Sequence, residues 1–120
     1  MAHLKPKSAK AKGRALQNYV VEQLLNAFPM LEDDDIKGAI MGERGEDIKL
    51  SPLAKRKIPF SFECKNVERL QFWSSVEQAE ANKRENAIPA LVIKKNHKEP
   101  YISLPLDDFI NIIKPKGNEY

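Results

Sequence analysis

The sequence predicts a mixed α/β domain, with a small mixed central β-sheet flanked by helices. Three patterns carry this expectation. Leu16, Val20 and Leu24 recur at the spacing of one helix face. Ile58, Phe60 and Phe62 alternate with Pro59, Ser61 and Glu63, the period of a strand. Ala90-Leu91-Val92-Ile93-Lys94 is a short apolar run of the buried-strand type, set off from the first strand by a second helical stretch.

In chain order, a first helix is expected from about Ser8 to Phe28. Ser8 is placed to cap it, Tyr19, Leu25 and Phe28 widen its apolar stripe, and Pro29 ends it. Leu31-Glu32-Asp33-Asp34-Asp35 reads as a solvated loop or helical turn, because consecutive acids do not converge on one ion without a glycine-turned loop. Ile36 to Ile40 is a short strand. Gly42 and Gly45 then supply unusual backbone angles for a turn. Glu46 to Leu50 is a strand that Ser51-Pro52 breaks, and Leu53 to Lys57 a connection with a basic cluster. Ile58 to Lys65 is the strongest strand. Leu70 to about Asn86 is a helix with Phe72, Val76 and Ala79 as its stripe and Trp73 alongside. Ala90 to Lys94 and Tyr101 to Leu104 are strands hairpinned through a turn, and Pro105 starts a last helix over Leu106 to Ile113.

The chain of 120 residues suits one domain with a core of its own. The expected division is a flexible basic arm at 1–12, the domain at 13–114 and a polar tail at 115–120. Apolar content of 42% and charged content of 31% fit a globular chain rather than a disordered one. The single cysteine, Cys64, excludes an internal disulfide and a Cys-rich zinc site and suits a reducing cytoplasm. No apolar run approaches the roughly 18 residues of a membrane span, and no signal-peptide core follows Met1-Ala2-His3-Leu4. A cytoplasmic setting without a membrane partner is therefore expected.

The net charge of +3 is unevenly spread: Lys5, Lys7, Lys10, Lys12 and Arg14 open the chain without an acid, and the remainder holds 15 basic and 17 acidic residues. Such an arm suits nucleic-acid phosphates, and it equally suits a solvated terminus. Neither a Gly-x-Ser-x-Gly elbow nor a phosphate-binding Gly-x-x-x-x-Gly-Lys loop occurs.

Three acid-x-lysine triplets are present: Asp35-Ile36-Lys37, Asp47-Ile48-Lys49 and Glu63-Cys64-Lys65. Only the third ends a strongly apolar strand. Residues i and i+2 of a strand share a face, so Glu63 and Lys65 point one way and Cys64 the other. The pair reads as an ordinary surface salt bridge of little worth. It can also be a metal ligand beside a lysine that serves a water. Asp47 lies on the preceding strand, and sequential strands most often lie close. A hairpin-like pairing would set Asp47 opposite the Glu63 end. Two carboxylates, the Cys64 backbone carbonyl and waters are what octahedral Mg²⁺ accepts.

Gly-x-Asp followed 16 residues later by Glu-x-Lys, with a helix before and a helix after, resembles the PD-(D/E)XK nuclease superfamily. The nearest likeness is to its small phage and archaeal Holliday junction resolvase-like endonucleases, over Gly13 to about Ile113. The resemblance implies a restriction-endonuclease-like αβββαβ core and a Mg²⁺-dependent DNA endonuclease, with Mn²⁺ able to substitute, selective for Holliday junctions or branched DNA. It implies metal ligands at Asp47 and Glu63, a catalytic lysine at Lys65, DNA as partner, and a homodimer. The setting would be a host-cell cytoplasm if the chain is phage-encoded.

Glu46 stands where the family's name has proline. Gln17 falls where the resolvases have a first-helix glutamate; its carbonyl can bind a metal or a water, but its neutrality weakens the case for a second ion. Glu22 is the nearest acid on that helix and lies roughly 140° further round. Gln78, in Glu77-Gln78-Ala79-Glu80-Ala81-Asn82, resembles a supporting helical glutamine of exonuclease-type relatives. Lys10, Lys12, Arg14, Lys55, Arg56 and Lys57 would hold phosphates without reading sequence. A non-catalytic nucleic-acid-binding module on the same scaffold is the alternative.

Trp73 with Phe72 reads as core or dimer surface rather than a base-stacking platform. His97, with Lys94, Lys95 and Lys98 nearby, reads as a solvated turn. Cys64 reads as inert, pointing into the sheet.

Overall fold

The computed structural model describes residues 8–40 and 42–117. Its first helix, α1, spans Ala9–Ala27. The Ser8 hydroxyl accepts from the Ala11 N–H at 3.1 Å, satisfying one of the donors a helix start leaves open. Leu16 is buried at 2% exposure, worth about 2 kcal/mol in apolar transfer. Val20, Val21, Leu24, Leu25 and Phe28 pack partly buried beside it, whereas Tyr19 stays 47% exposed. Because the helix starts at Ala9, Lys10 and Lys12 belong to its first turns and not to a flexible arm. Residues 1–7 of that expected arm, and 118–120 of the expected tail, lie outside the described residues.

The acidic run is a 3-10 turn, Asp33–Asp35. Asp35 accepts from the Glu32 N–H at 2.8 Å and the Ser51 hydroxyl at 2.6 Å, and these bonds hold its carboxyl below the usual range. Strand β1, Ile36–Gly38, pairs antiparallel with β2, Ile48–Leu50, Ile36 opposite Leu50. Helix α2, Pro52–Lys57, replaces the expected basic connection. Ser51 caps it by accepting from the Ala54 N–H, and Pro52 takes a first-turn place where no N–H is needed.

Strand β3, Phe60–Asn66, runs parallel to β4, Ile88–Lys94, through the crossover helix α3, Phe72–Asn82. Strand β5, Tyr101–Ser103, hairpins onto β4, and α4, Leu106–Ile113, closes the described chain. The sheet order is β3-β4-β5, a mixed three-stranded sheet.

One central sheet was the expectation; β1 and β2 instead form a separate two-stranded ladder. Among the described residues one backbone bond, from the Asp47 N–H to the Phe62 carbonyl at 2.9 Å, ties it to β3. Gly45, at φ +92°, turns the chain just before Glu46, and Ser51 begins the α2 cap.

The two faces of β3 divide the molecule. Phe62 and Cys64 face the main core, with Leu16, Ile36, Ile48 and Val92. Ser61, Glu63 and Lys65 face the other side, where α3 and the chain after it supply partners. Among the described residues no helix is long and apolar enough to cross a membrane.

Candidate active site

Asp47 leaves its β2 extension at the edge of β3. Its carboxylate Oδ2 accepts the Cys64 N–H at 2.7 Å. The N–H and C=O of one strand residue leave toward the same edge, so the Cys64 carbonyl also faces Asp47. Glu63 comes from the adjacent position on β3 and is 3% exposed. Its Oε1 accepts from the Asn82 side-chain amide of α3 at 3.2 Å, and Lys65 Nζ lies 3.8 Å from its Oε2. The triplet thus behaves as strand geometry requires, with Glu63 and Lys65 on one face. Asp47 and Glu63 meet through the loose joint between the two ladders rather than through a hairpin.

Burial raises the Glu63 carboxyl pKa first, and the charge of Asp47 raises it further; Asn82 and Lys65 pull it down. Burial, then the same two acids, also push the Cys64 thiol up, so it stays an inert protonated core group. The Glu63 shift has a definite sign in stability. A carboxyl that binds its proton more tightly folded than unfolded loses stability as pH rises from the ordinary glutamate range through the raised value. Glu63→Gln should therefore melt higher than the wild type at neutral pH without divalent ions. The gap should close below the ordinary glutamate range, as seen by thermal denaturation across pH. Equal melting at neutral pH would contradict a strained Glu63 carboxylate.

Gln17 does reach the neighbourhood. It faces β1 at Gly38, where an added Cβ would lie 3.2 Å from the Gln17 amide oxygen. A strand glycine often marks such a close approach. A cleft of about 230 Å³ next to it is lined by Lys10, Arg14, Gln17, Glu43 and Asp47 among others. Asp47 therefore belongs to two surroundings, the cleft on the α1 side and the carboxylate pair with Glu63. Gln78 is exposed one turn before Asn82, and it is Asn82 that holds Glu63.

The basic residues separate. Lys10 and Arg14 border the cleft. Lys12 pairs with Glu68 at 3.5 Å, and its carbonyl accepts from the Asn66 amide at 2.9 Å. Lys55, Arg56 and Lys57 are exposed on α2, which leads into the opposite end of β3 from Lys65. Trp73 is 75% exposed, so it is no core residue; its ring stands edge-on to Phe72 at 5.0 Å. His97 sits exposed in a turn at φ +64°.

Glu46 carries a part that the sequence did not reveal. Next to Asp47 in extended chain, it points the opposite way and is 8% exposed. Its Oε2 accepts from the Ser61 hydroxyl and from Arg84 Nη1 at 3.1 Å. The same guanidinium donates to the Phe60 carbonyl at 2.8 Å and the Ile58 carbonyl at 2.6 Å. Arg84 thus clamps the segment carrying Asp47 to the start of β3. Asn82, four residues beyond Gln78, holds Glu63 and is the other site residue that the sequence did not reveal.

Among the described residues no group of three or more His, Cys, Asp or Glu side chains could hold a metal ion. Two converging carboxylates with an edge carbonyl remain, and Mg²⁺ accepts few protein ligands because it keeps several waters. The repulsion between Asp47 and Glu63 is of the kind a divalent cation relieves. No family model matches the chain, and no curated protein or solved structure matches it.

Proposed function

We propose that this chain is a divalent-cation-dependent DNA endonuclease of the PD-(D/E)XK kind, selective for branched DNA. The observation that carries the reading is the convergence of Asp47 and Glu63, with Lys65 on the face of Glu63. The order α1, β1, β2, α2, β3, α3, β4 supports this reading, being the αβββαβ succession that the resemblance implies with the short helix α2 interposed.

Asp47, Glu63 and the Cys64 carbonyl would hold Mg²⁺ or Mn²⁺, with Gln17 near enough to Asp47 to bind a water. Such an ion supplies Lewis acidity toward a phosphodiester and eases ionisation of water. The chain's own groups do the rest. Lys65 donates to the attacking water and balances charge gathering on the phosphate. Asn82 fixes the Glu63 carboxyl, and Asp47 is fixed by the Cys64 N–H. Lys10 and Arg14 hold the phosphates flanking the scissile one. Hydrolysis forms one P–O bond from water and breaks one ester P–O bond; the attacking water gives its proton to solvent and the departing ester oxygen takes one up from solvent.

A second reading, a non-catalytic nucleic-acid-binding module, draws on the neutral Gln17 and the lack of a third acid. A cleavage panel separates the two. Four-way junction, flap, linear duplex and single-stranded DNA are incubated with the wild-type chain, with and without Mg²⁺. Nicking that needs Mg²⁺ and favours a branched substrate is expected. Salt-sensitive binding with no strand broken in any arm would sink the endonuclease reading.

A further inference from the structure

A groove of about 260 Å³ opens on the α3 face of the sheet, just before α3 begins. Its apolar surface comes from Val67 and Leu70 of the β3–α3 connection, Ile93 of β4 and Tyr101 of β5. Tyr101 is 69% exposed. The register sets this groove beside the candidate site. Lys65 lies abreast of Ile93, and Ile93 abreast of Tyr101, so the three form one row across the sheet. Residues abreast in a sheet point to the same face. Lys65 and Tyr101 are therefore two strand spacings apart, roughly 10 Å, on the side where Glu63 lies. Lys95 and Lys98, both exposed in the β4–β5 turn, rim the groove. Of its two acids, Glu68 already accepts the Asn96 N–H at 2.6 Å and faces Lys12 at 3.5 Å, which leaves Glu99 against the two lysines.

We propose that this groove is a subsite for one unpaired nucleobase of a DNA strand whose backbone runs past Lys65. The inference rests on the proposed action on DNA and names the strand feature that is selected. A nucleotide joins a flat apolar ring to an anionic phosphate. An exposed aromatic ring beside an aliphatic floor, with cations at the rim, matches both parts: the base stacks on Tyr101 above Ile93, and Lys95 and Lys98 hold the phosphate. An apolar peptide side chain would fill the floor and leave the two lysines without a counter-charge. A base within a duplex has both faces covered by its neighbours, so only one that is out of the stack can enter. Single strands and branch points supply such bases. The row from Lys65 to Tyr101 places the captured base next to the phosphate that Lys65 would serve, which ties the choice of an unpaired base to the place of cleavage.

The test is fluorescence anisotropy of the full chain with a short labelled oligothymidylate and with a labelled blunt duplex of the same length, in EDTA so that binding is read without cleavage. Circular dichroism melts show that each variant folds. Tyr101→Ala should weaken oligothymidylate binding about tenfold and leave duplex affinity unchanged, because only the single strand offers a free base face. Tyr101→Phe keeps the ring and should bind as the wild type does. A Tyr101→Ala loss equal on both DNAs, or no loss on either, would overturn the proposal. So would a wild type that binds no oligothymidylate at about 100 μM. The cleavage panel separates this failure from that of the endonuclease reading. Mg²⁺-dependent nicking with strand affinity indifferent to Tyr101→Ala removes the subsite and keeps the endonuclease. Strand affinity that needs the Tyr101 ring, with no DNA cut in any arm, keeps the subsite and removes the endonuclease.

Discussion

Asp47→Asn is expected to lower the single-turnover rate of Mg²⁺-dependent DNA cleavage by about 10³-fold, roughly 4 kcal/mol of barrier. The change is nearly isosteric. The asparagine oxygen can still accept the Cys64 N–H that the Asp47 carboxylate accepts at 2.7 Å. The Asp47 backbone bond to Phe62 is untouched, so the joint between the two ladders persists. What disappears is one of the two negative charges that would hold the cation. With it goes the Asp47 repulsion on Glu63, so that carboxyl moves back down toward its ordinary range. The variant should thus be a well-folded protein that binds DNA and does not cut it. A rate within a few-fold of the wild type, at an unchanged melting temperature, would mean that Asp47 is no ligand.

Arg84→Ala is expected to cost about 3–5 kcal/mol of stability, because it leaves the Glu46 carboxylate buried without its cationic partner. It also strips the Phe60 and Ile58 carbonyls of a donor. For a domain of this size the melting temperature should fall by more than about 10 °C. Glu46→Gln combined with Arg84→Ala should be less destabilised than Arg84→Ala alone, since no charge is then left buried. A melt for Arg84→Ala within about 2 °C of the wild type would show the clamp to be a surface pair of little worth.

What the sequence made legible was local. The last helix was read at its observed bounds because Pro105 precedes a strong apolar period. The β4–β5 hairpin was read from two apolar runs with turn residues between them. Helix α3 is shorter at both ends than its sequence pattern predicts: Lys83 turns extended at the C-cap, and Asn86 lies at φ +67°. Helix α2 was missed because its lysines and arginine suggested a connection, though Ser51-Pro52 is a cap followed by a first-turn proline.

The candidate site was legible where strand period alone decides it, in the shared face of Glu63 and Lys65. The meeting of Asp47 with Cys64 and Glu63 needed the fold. The Glu46–Arg84 clamp was beyond reach. It joins residues of two connecting segments 38 positions apart, and no local pattern announces such a pair. In the sequence Glu46 stands out only as the residue before Asp47; its burial against Ser61 and Arg84 is a product of the fold.

The proposed function requires Asp47 and Glu63 to hold one divalent cation together. Calorimetric titration of Mn²⁺ into the wild type, Asp47→Asn and Glu63→Gln, without DNA, tests it most directly. Saturable heat is expected in the wild type and is lost in both variants. Heats that match in all three proteins would contradict it.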